Sequence, residues 1–441
     1  METENFNVKL RKTGGHLIIL GSVLFNITCM NPSGTEEVKN ASRNLKNSSS
    51  TFIYNAIPEN PGASVSPEYS TAINTFSIRL LSTIYKSENV PGKNVIISPF
   101  SVSRTLAVLT EGAADKAKSE LLEALGGQVA LDDAKDALSE LLYTDKSVIF
   151  QCADAIWVDT SKFMLEPSFK ENARVKYGVE NRGLDLSNIR NATKFINNWI
   201  YENSGRNLAN VIDERTLESQ PAFILTNAVY FKADWTSPFD ITKTQPEIFH
   251  SPAGDISVPM MSSGYQHKVY KTPAFQNAKI YYGTSGKDYF YLDLYMPVDM
   301  SIERFLDDSC LAAMATGRAL EFGDLKMPKF TYDNRVDLIP VLQQLTIKEI
   351  FDPNTGDLSG IVQQKNTSQD IPVYIYKAEH VAGIKTDEEG TKAYAATYLA
   401  GAACSAILDP GITFNKPFVY FIRAGKNGLV LFAGVMNNPQ E

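Results

Sequence analysis

The chain has 441 residues, 44% of them hydrophobic and 21% charged, with a formal net charge of −8. This composition suits a soluble protein with a sizeable core, and a modest negative charge spread along the chain argues against a nucleic-acid partner. The four cysteines, Cys29, Cys152, Cys310 and Cys404, lie far apart with no CxxC or Cys/His spacing, which argues against a zinc site and a disulfide framework.

The first element is at the N-terminus. Lys9, Arg11 and Lys12 precede the apolar run HLIILGSVLFNITC, from His16 to Cys29. That run is too short to span a bilayer comfortably, and a basic stretch before a short apolar core reads as an export signal over residues 1–28. The segment looks like a bacterial lipoprotein signal, with Cys29 as the lipidated first residue of the mature chain. Asn26, Ile27 and Thr28 depart from the usual Leu-(Ala/Ser)-(Gly/Ala) before such a cysteine. The alternative is an ordinary secretory signal. Residues 29–69 are rich in Asn, Ser, Pro and Gly without periodicity and read as a disordered tether. As a flexible coil, such a tether would hold the body about 35 Å from its anchor.

The globular pattern starts near Thr71. Phe76, Ile78, Leu80, Leu81 and Ile84 recur at near-helical spacing. NVIISPFSVSRTLAVLTEGA (94–113) opens as a short strand, is punctuated by Ser98-Pro99, and continues as a buried helix. Residues 116–125 and 131–144 read as amphipathic helices. Residues 148–159 have strand length and composition, and residues 191–204 read as a helix with Phe195, Ile196, Trp199 and Ile200 on one side. AFILTNAVYFKADW (222–235) is apolar too continuously for a strand with one face in water. The second half is mostly strand signals, at 289–298, 320–333, 371–386 and 418–436, the last a hairpin turning at Gly425–Gly428. Helices early and strands late predict an α+β fold with a large mixed or antiparallel sheet, in one domain over residues 70–441.

Catalytic motifs are absent. The four histidines are His16, His250, His267 and His380, and there is no GxSxG elbow, HExxH, P-loop or GxGxxG. A Ser-His-Asp triad can occur in several chain orders, but nothing points to one.

Taken in order, the motifs resemble those of the serpin family over essentially all of residues 70–441. NVIISPFSVSRTLAVLTEGA resembles the family's segment leading into its central helix, and FINNWIYENSGRNLANVI its Ile-Asn-x-Trp helix. LTNAVYFKADWTSPFD is similar to its long central strand. VPMM (258–261), DLSGI (357–361) and FNKPFVYFIR (414–423) follow in the expected order. DEEGTKAYAATYLAGAACSAIL (387–408) resembles the family's reactive-centre loop, with its hinge at Glu388, Glu389, Gly390, Thr391, Ala393, Ala395, Ala396 and Thr397. The resemblance implies three β-sheets, about nine helices and an exposed loop at about 388–410 that offers a bait peptide bond. A target protease attacks that bond, an acyl-enzyme forms, and the cleaved loop inserts into the main sheet and traps the protease.

The loop residues suit insertion. Side chains alternate faces in a strand, so Thr391, Ala393, Ala395 and Thr397 share one face, all small and uncharged. Lys392, Tyr394 and Ala396 fall on the other. No proline occurs between Gly390 and Asp409, so every amide can join a ladder. Without the resemblance, the same residues read as an alanine-rich surface helix. Counting from Glu388 in the family's manner places the bait bond at Cys404–Ser405. Counting back from FNKPF moves it about two residues, toward Ala406. Ala402, Ala403 and Cys404 suit an elastase-like pocket, and Cys404 also suits chymotrypsin-like or cysteine proteases. No Arg or Lys lies between Tyr394 and Thr413, which disfavours trypsin-like targets.

The resemblance also implies two polar clusters. His380 is placed as the shutter histidine beneath the main sheet, with Ser98, Ser101 and Asn227 as partners. Trp235 and Lys329 are placed at the breach where the loop first enters, Lys329 pairing with Glu388. An exposed pair of that kind contributes about 1 kcal/mol or less. The expected protein is therefore an exported monomer, secreted or lipid-anchored at the cell envelope or surface, that inhibits a serine protease or, as the second choice, a cysteine protease. No metal or cofactor is implied, and the only membrane contact is the anchor. The alternatives are a non-inhibitory serpin-fold carrier or chaperone, and a hydrolase. Asn40, Asn47, Asn191 and Asn366 lie in N-x-S/T sequons that matter only in a glycosylating host.

Overall fold

The computed structural model describes residues 17–29 (as backbone), 65–87, 92–144, 146–206, 208–219, 221–263, 267–284, 286, 289–315, 321–365, 373–390 and 411–440. The apolar run of the expected leader forms strand β1 (Leu17–Cys29). Helix α1 (Pro67–Ser87) begins a few residues inside the stretch read as tether, because Val65 and Tyr69 already belong to the core. It buries Ile73, Phe76, Leu80, Leu81 and Ile84 along one side. Strand β2 (Val95–Ile97) leads through Ser98 into α2 (Pro99–Thr110). Ser98 caps this helix by accepting from the Ser101 amide, and Pro99 fills a first-turn position that needs no N–H. Every residue of α2 is buried, as its apolar run predicts. Helices α3 (Asp115–Ala124) and α4 (Gln128–Leu141) follow.

Next come β3 (Tyr143–Thr144), β4 (Val148–Asp159), β5 (Phe163–Leu165), α5 (Pro167–Tyr177), β6 (Glu180–Leu184), α6 (Ile189–Asn203), the single turn α7 (Arg215–Glu218) and β7 (Pro221–Ala233). The strand-rich half contains β8 (Gln245–Ser251), β9 (Gly254–Ser262), β10 (His267–Lys271), β11 (Phe275–Tyr282) and β12 (Phe290–Pro297). Short helices α8 (Ile302–Arg304) and α9 (Cys310–Ala315) lead to β13 (Glu321–Gly323), β14 (Leu325–Pro328) and β15 (Phe330–Asp337). Helix α10 (Leu338–Gln344) precedes β16 (Val362–Gln364) and β17 (Val373–Thr386), and the chain closes with β18 (Ile412–Thr413), β19 (Phe418–Ala424) and β20 (Leu429–Met436). The single strand expected over 320–333 is three strands in three different sheets, divided at Asp324 and Lys329.

Three principal sheets result, as expected for an α+β serpin-like body. The main sheet runs β15-β17-β1-β7-β4-β3, with β6 added in parallel to β4. The second runs β13-β10-β11-β12-β19-β20-β2, and the third β18-β14-β9-β8; β16 and β5 form a small separate ladder. Strand β1 lies between β17 and β7 and is antiparallel to both, from Ile18 opposite Lys385 to Cys29 opposite Val373 on one side. On the other it runs from Leu17 opposite Ala233 to Thr28 opposite Pro221.

The core follows the alternation of β4. Phe150, Cys152, Ile156 and Val158 face the large core shared with α1, α2 and the second sheet. Ala153, Ala155 and Trp157 face a smaller cluster under α6. There Trp157 meets Trp199 edge-on at 5.7 Å, and Ile196 and Ile200 complete the layer. Phe195 stays partly exposed while its ring packs on Trp157. Both faces of the main sheet are thus covered, which is why β7 reads as one unbroken apolar run.

Candidate functional site

Beneath the centre of the main sheet, one chain of polar groups joins three strands to α2. His380 is fully buried on β17, and its Nε2 accepts from the Ser98 amide at 2.9 Å. Ser98 Oγ donates to the Leu431 carbonyl on β20 at 2.8 Å and accepts from the Ser101 amide. Ser101 Oγ donates to Asn227 Oδ1 on β7. Asn227 Nδ2 in turn donates to Asp154 Oδ1 on β4 at 2.6 Å and touches Cys152 Sγ at 3.3 Å. Asp154 Oδ2 accepts from Arg104 Nη2 at 2.7 Å, and the same nitrogen donates to the Tyr177 carbonyl. Buried polar groups need partners, and here most find them in one another across β17, β7 and β4, with Arg104 Nη1 left without a hydrogen bond.

Ser98, Ser101, Asn227 and His380, the four residues expected at the shutter, are therefore linked through α2. His380 and Asn227 lie at one level, each opposite Val23 of β1. They are two strand spacings apart, about 10 Å, so the serines bridge them from below. Arg104 and Asp154 extend the network in a way the motifs do not reveal. The pair is almost fully buried, with side-chain exposures of 1% and 2%. Burial works against the Arg104 charge, but Asp154, with Cys152 and Tyr69 nearby, outweighs it and raises the guanidinium pKa. Burial, with Asp154 beside it, pushes the Cys152 thiol up to about 12, so it is an inert filler. The detectable signal was an arginine inside an apolar helical run, with an aspartate inside an apolar strand.

The second cluster holds the end of β17. After Thr386 the chain turns through Asp387, Glu388, Glu389 and Gly390, and four contacts from the segment after β7 fix the turn. Trp235 Nε1 donates to the Asp387 carbonyl at 2.9 Å, and its amide to the Glu389 carbonyl at 3.2 Å. The Phe239 amide donates to the Glu388 carbonyl at 2.8 Å, and Thr244 Oγ1 donates to Glu388 Oε1 at 2.7 Å. Lys329 Nζ sits 2.7 Å from Glu388 Oε2, so the expected pair forms. It is not an exposed one: the Glu388 side chain is 5% exposed and the Lys329 side chain 35%. Burial pushes the Glu388 pKa up, but the hydrogen bonds from Lys329 and Thr244 outweigh it and hold the carboxyl below its usual range.

The Trp235 ring is itself fixed, stacked on Tyr282 at 4.5 Å with an interplanar angle of 12°. Gly390 has φ +74, and a Cβ there would lie 2.4 Å from the Trp235 nitrogen. Only glycine fits this turn. Phe239 stacks on His267, a buried imidazole whose pKa burial lowers to about 4. Thr391, Ala393, Ala395, Ala396, Thr397, Cys404 and Ser405 lie outside the described residues. Cys29, the expected lipidation site, ends β1 opposite Val373.

Comparison with known proteins agrees with this geometry. The family model described as Serpin (serine protease inhibitor) matches residues 71–439. Alpha-1-antitrypsin of Sus scrofa is 27% identical over 376 residues, covering 83% of this chain and 86% of that protein. Antichymotrypsin-2 of Bombyx mori is 29% identical over 375 residues, covering 82% and 96%. Among solved structures, the thermophilic serpin tengpin in its native state superposes with a TM-score of 0.71 at 21% identity, covering 84% of this chain and 93% of that one. The hinge turn, the polar chain under the main sheet and a family match over nearly the whole body lead to one conclusion: the chain belongs to the serpin (serine protease inhibitor) family.

Proposed function

We propose that this protein is an irreversible, suicide-substrate inhibitor of an elastase- or chymotrypsin-like serine protease, with a cysteine protease as a lesser target. The target's nucleophile attacks the carbonyl carbon of Cys404. The Cys404–Ser405 peptide bond breaks, Ser405 leaves as a new amino terminus, and the loop remains esterified to the enzyme. Insertion of the loop then carries the enzyme away before water can hydrolyse the ester. The observation that carries this reading is the Gly390 turn. It closes β17 at the head of a strand position that takes an antiparallel strand between β17 and β7. The reading extends to an exported protein anchored through a lipid on Cys29.

Incubation of the chain that begins at Cys29 with pancreatic elastase, followed by a denaturing gel, tests it. A protease-sized covalent adduct is expected, and Thr391→Arg, which puts a charge on the small face of the loop, should abolish it. Cleavage without any adduct would identify a substrate or carrier instead. Adducts that persist in Thr391→Arg would refute the insertion chemistry.

A further inference from the structure

We propose that residues 17–29 are an intramolecular plug: in the full-length chain they fill the strand position that the reactive loop must enter, and so hold the inhibitor inactive. The inference rests on reading that position as the landing site of the loop. Among the described residues, β7 and β17 share no ladder with each other; each pairs instead with β1. The pairing spans the whole length of the site, from Lys385 and Ala233 at the hinge end to Val373 and Pro221 at the far end. β1 is thirteen residues long. The stretch from Thr391 to Cys404 is fourteen. The two segments therefore compete for one position of one length, and both cannot occupy it.

The sequences favour the plug. Residues 17–29 contain no charge and no proline, and Ile18, Ile19, Val23, Phe25, Ile27 and Thr28 are of the types that suit a buried strand. The same span of the loop carries six alanines and the charged Lys392, with Tyr394, Tyr398 and Leu399 as its only large side chains besides that lysine. The plug is also always close at hand. Only 35 residues separate Cys29 from Val65, where the body begins. A tether of that length keeps the segment at an effective concentration on the order of millimolar. A chain that has lost residues 1–28, as processing at the expected leader would leave it, has an empty site. One apolar stretch would then serve twice, as address and as safety catch.

The test compares the unmodified full chain with a full-length Ser22→Pro/Leu24→Pro variant. Two prolines in the middle of β1 remove amides from its ladders and eject it, and neither residue belongs to the shutter, hinge or bait bond. The probe is a fluorescent peptide with the sequence of residues 391–403. The variant is expected to take up this peptide one-to-one, and the unmodified chain at least ten times more slowly. Elastase adducts should rise at least tenfold in the variant. In hydrogen exchange, amides 18–28 should be protected in the unmodified chain and unprotected in the variant. Equal peptide uptake by both chains, or unprotected amides 18–28 in the unmodified one, would overturn the plug. Peptide uptake confined to the variant, with no adduct from either chain, would support the plug and refute the inhibitor reading instead. Adducts in equal yield from both would do the reverse.

Discussion

The buried pair Arg104–Asp154 carries the sharpest stability prediction. Asp154→Ala leaves the guanidinium in a site where its side chain is 1% exposed, with only the Tyr177 carbonyl still accepting from it. Arginine does not escape by releasing its proton. Breaking a buried pair from one side costs about 3–5 kcal/mol. Asn227 also loses its 2.6 Å acceptor, so the upper part of that range is expected. Thermal denaturation followed by circular dichroism should show a fall in Tm of roughly 4–6 °C. Hydrogen exchange should rise first in β4 and β7, the strands that Asp154 and Asn227 hold. The double variant Arg104→Met/Asp154→Leu removes both charges together and should recover most of the loss. A loss below about 1 kcal/mol for Asp154→Ala, or a double variant no better than the single, would refute the claim that the network stabilises the sheet through this pair.

Two further predictions concern the hinge and its neighbours. Gly390→Ala should destabilise by at least about 1–2 kcal/mol from the positive φ alone, and by more because the new Cβ meets the Trp235 nitrogen at 2.4 Å; urea unfolding measures it, and an unchanged midpoint would show that the turn relaxes freely. His267 is held neutral in the folded state, with its pKa lowered by burial to about 4 against the usual 6.5, so its contribution is complete above about pH 6.5 and is lost as the pH falls toward 4. That shift corresponds to a loss on the order of 3 kcal/mol, and His267→Phe, which keeps the ring on Phe239, should flatten this part of the pH–stability profile.

Most of the body was legible because periodicity and burial agree. The Ser98-Pro99 step announces α2, and the unbroken run of β7 announces a strand covered on both faces. Strand β6 was not legible: Glu180–Leu184 reads ENRGL, and it is a strand only because β4 offers it an edge. The breach residues were legible by resemblance alone, since nothing local says that Trp235 reaches the Asp387 and Glu389 backbone. The burial of Glu388 was missed for the same reason, because its cover comes from Thr244 and Lys329, far away in sequence. Residues 17–29 show the limit most plainly. An export core and a central sheet strand ask for the same residues, apolar and free of proline, so the letters do not separate the two readings.

The geometry of that central position has a consequence for the direction in which the molecule is driven. Because β1 is antiparallel to both β7 and β17, those two strands run parallel to each other. Left to themselves they can close only through a single parallel ladder, the slightly weaker kind. Any antiparallel newcomer exchanges that one ladder for two of the stronger kind. The preference belongs to the orientation of the two flanking strands and is indifferent to which segment arrives. The main sheet thus behaves as an unfinished surface whose completion by an antiparallel strand is downhill, whichever segment supplies it.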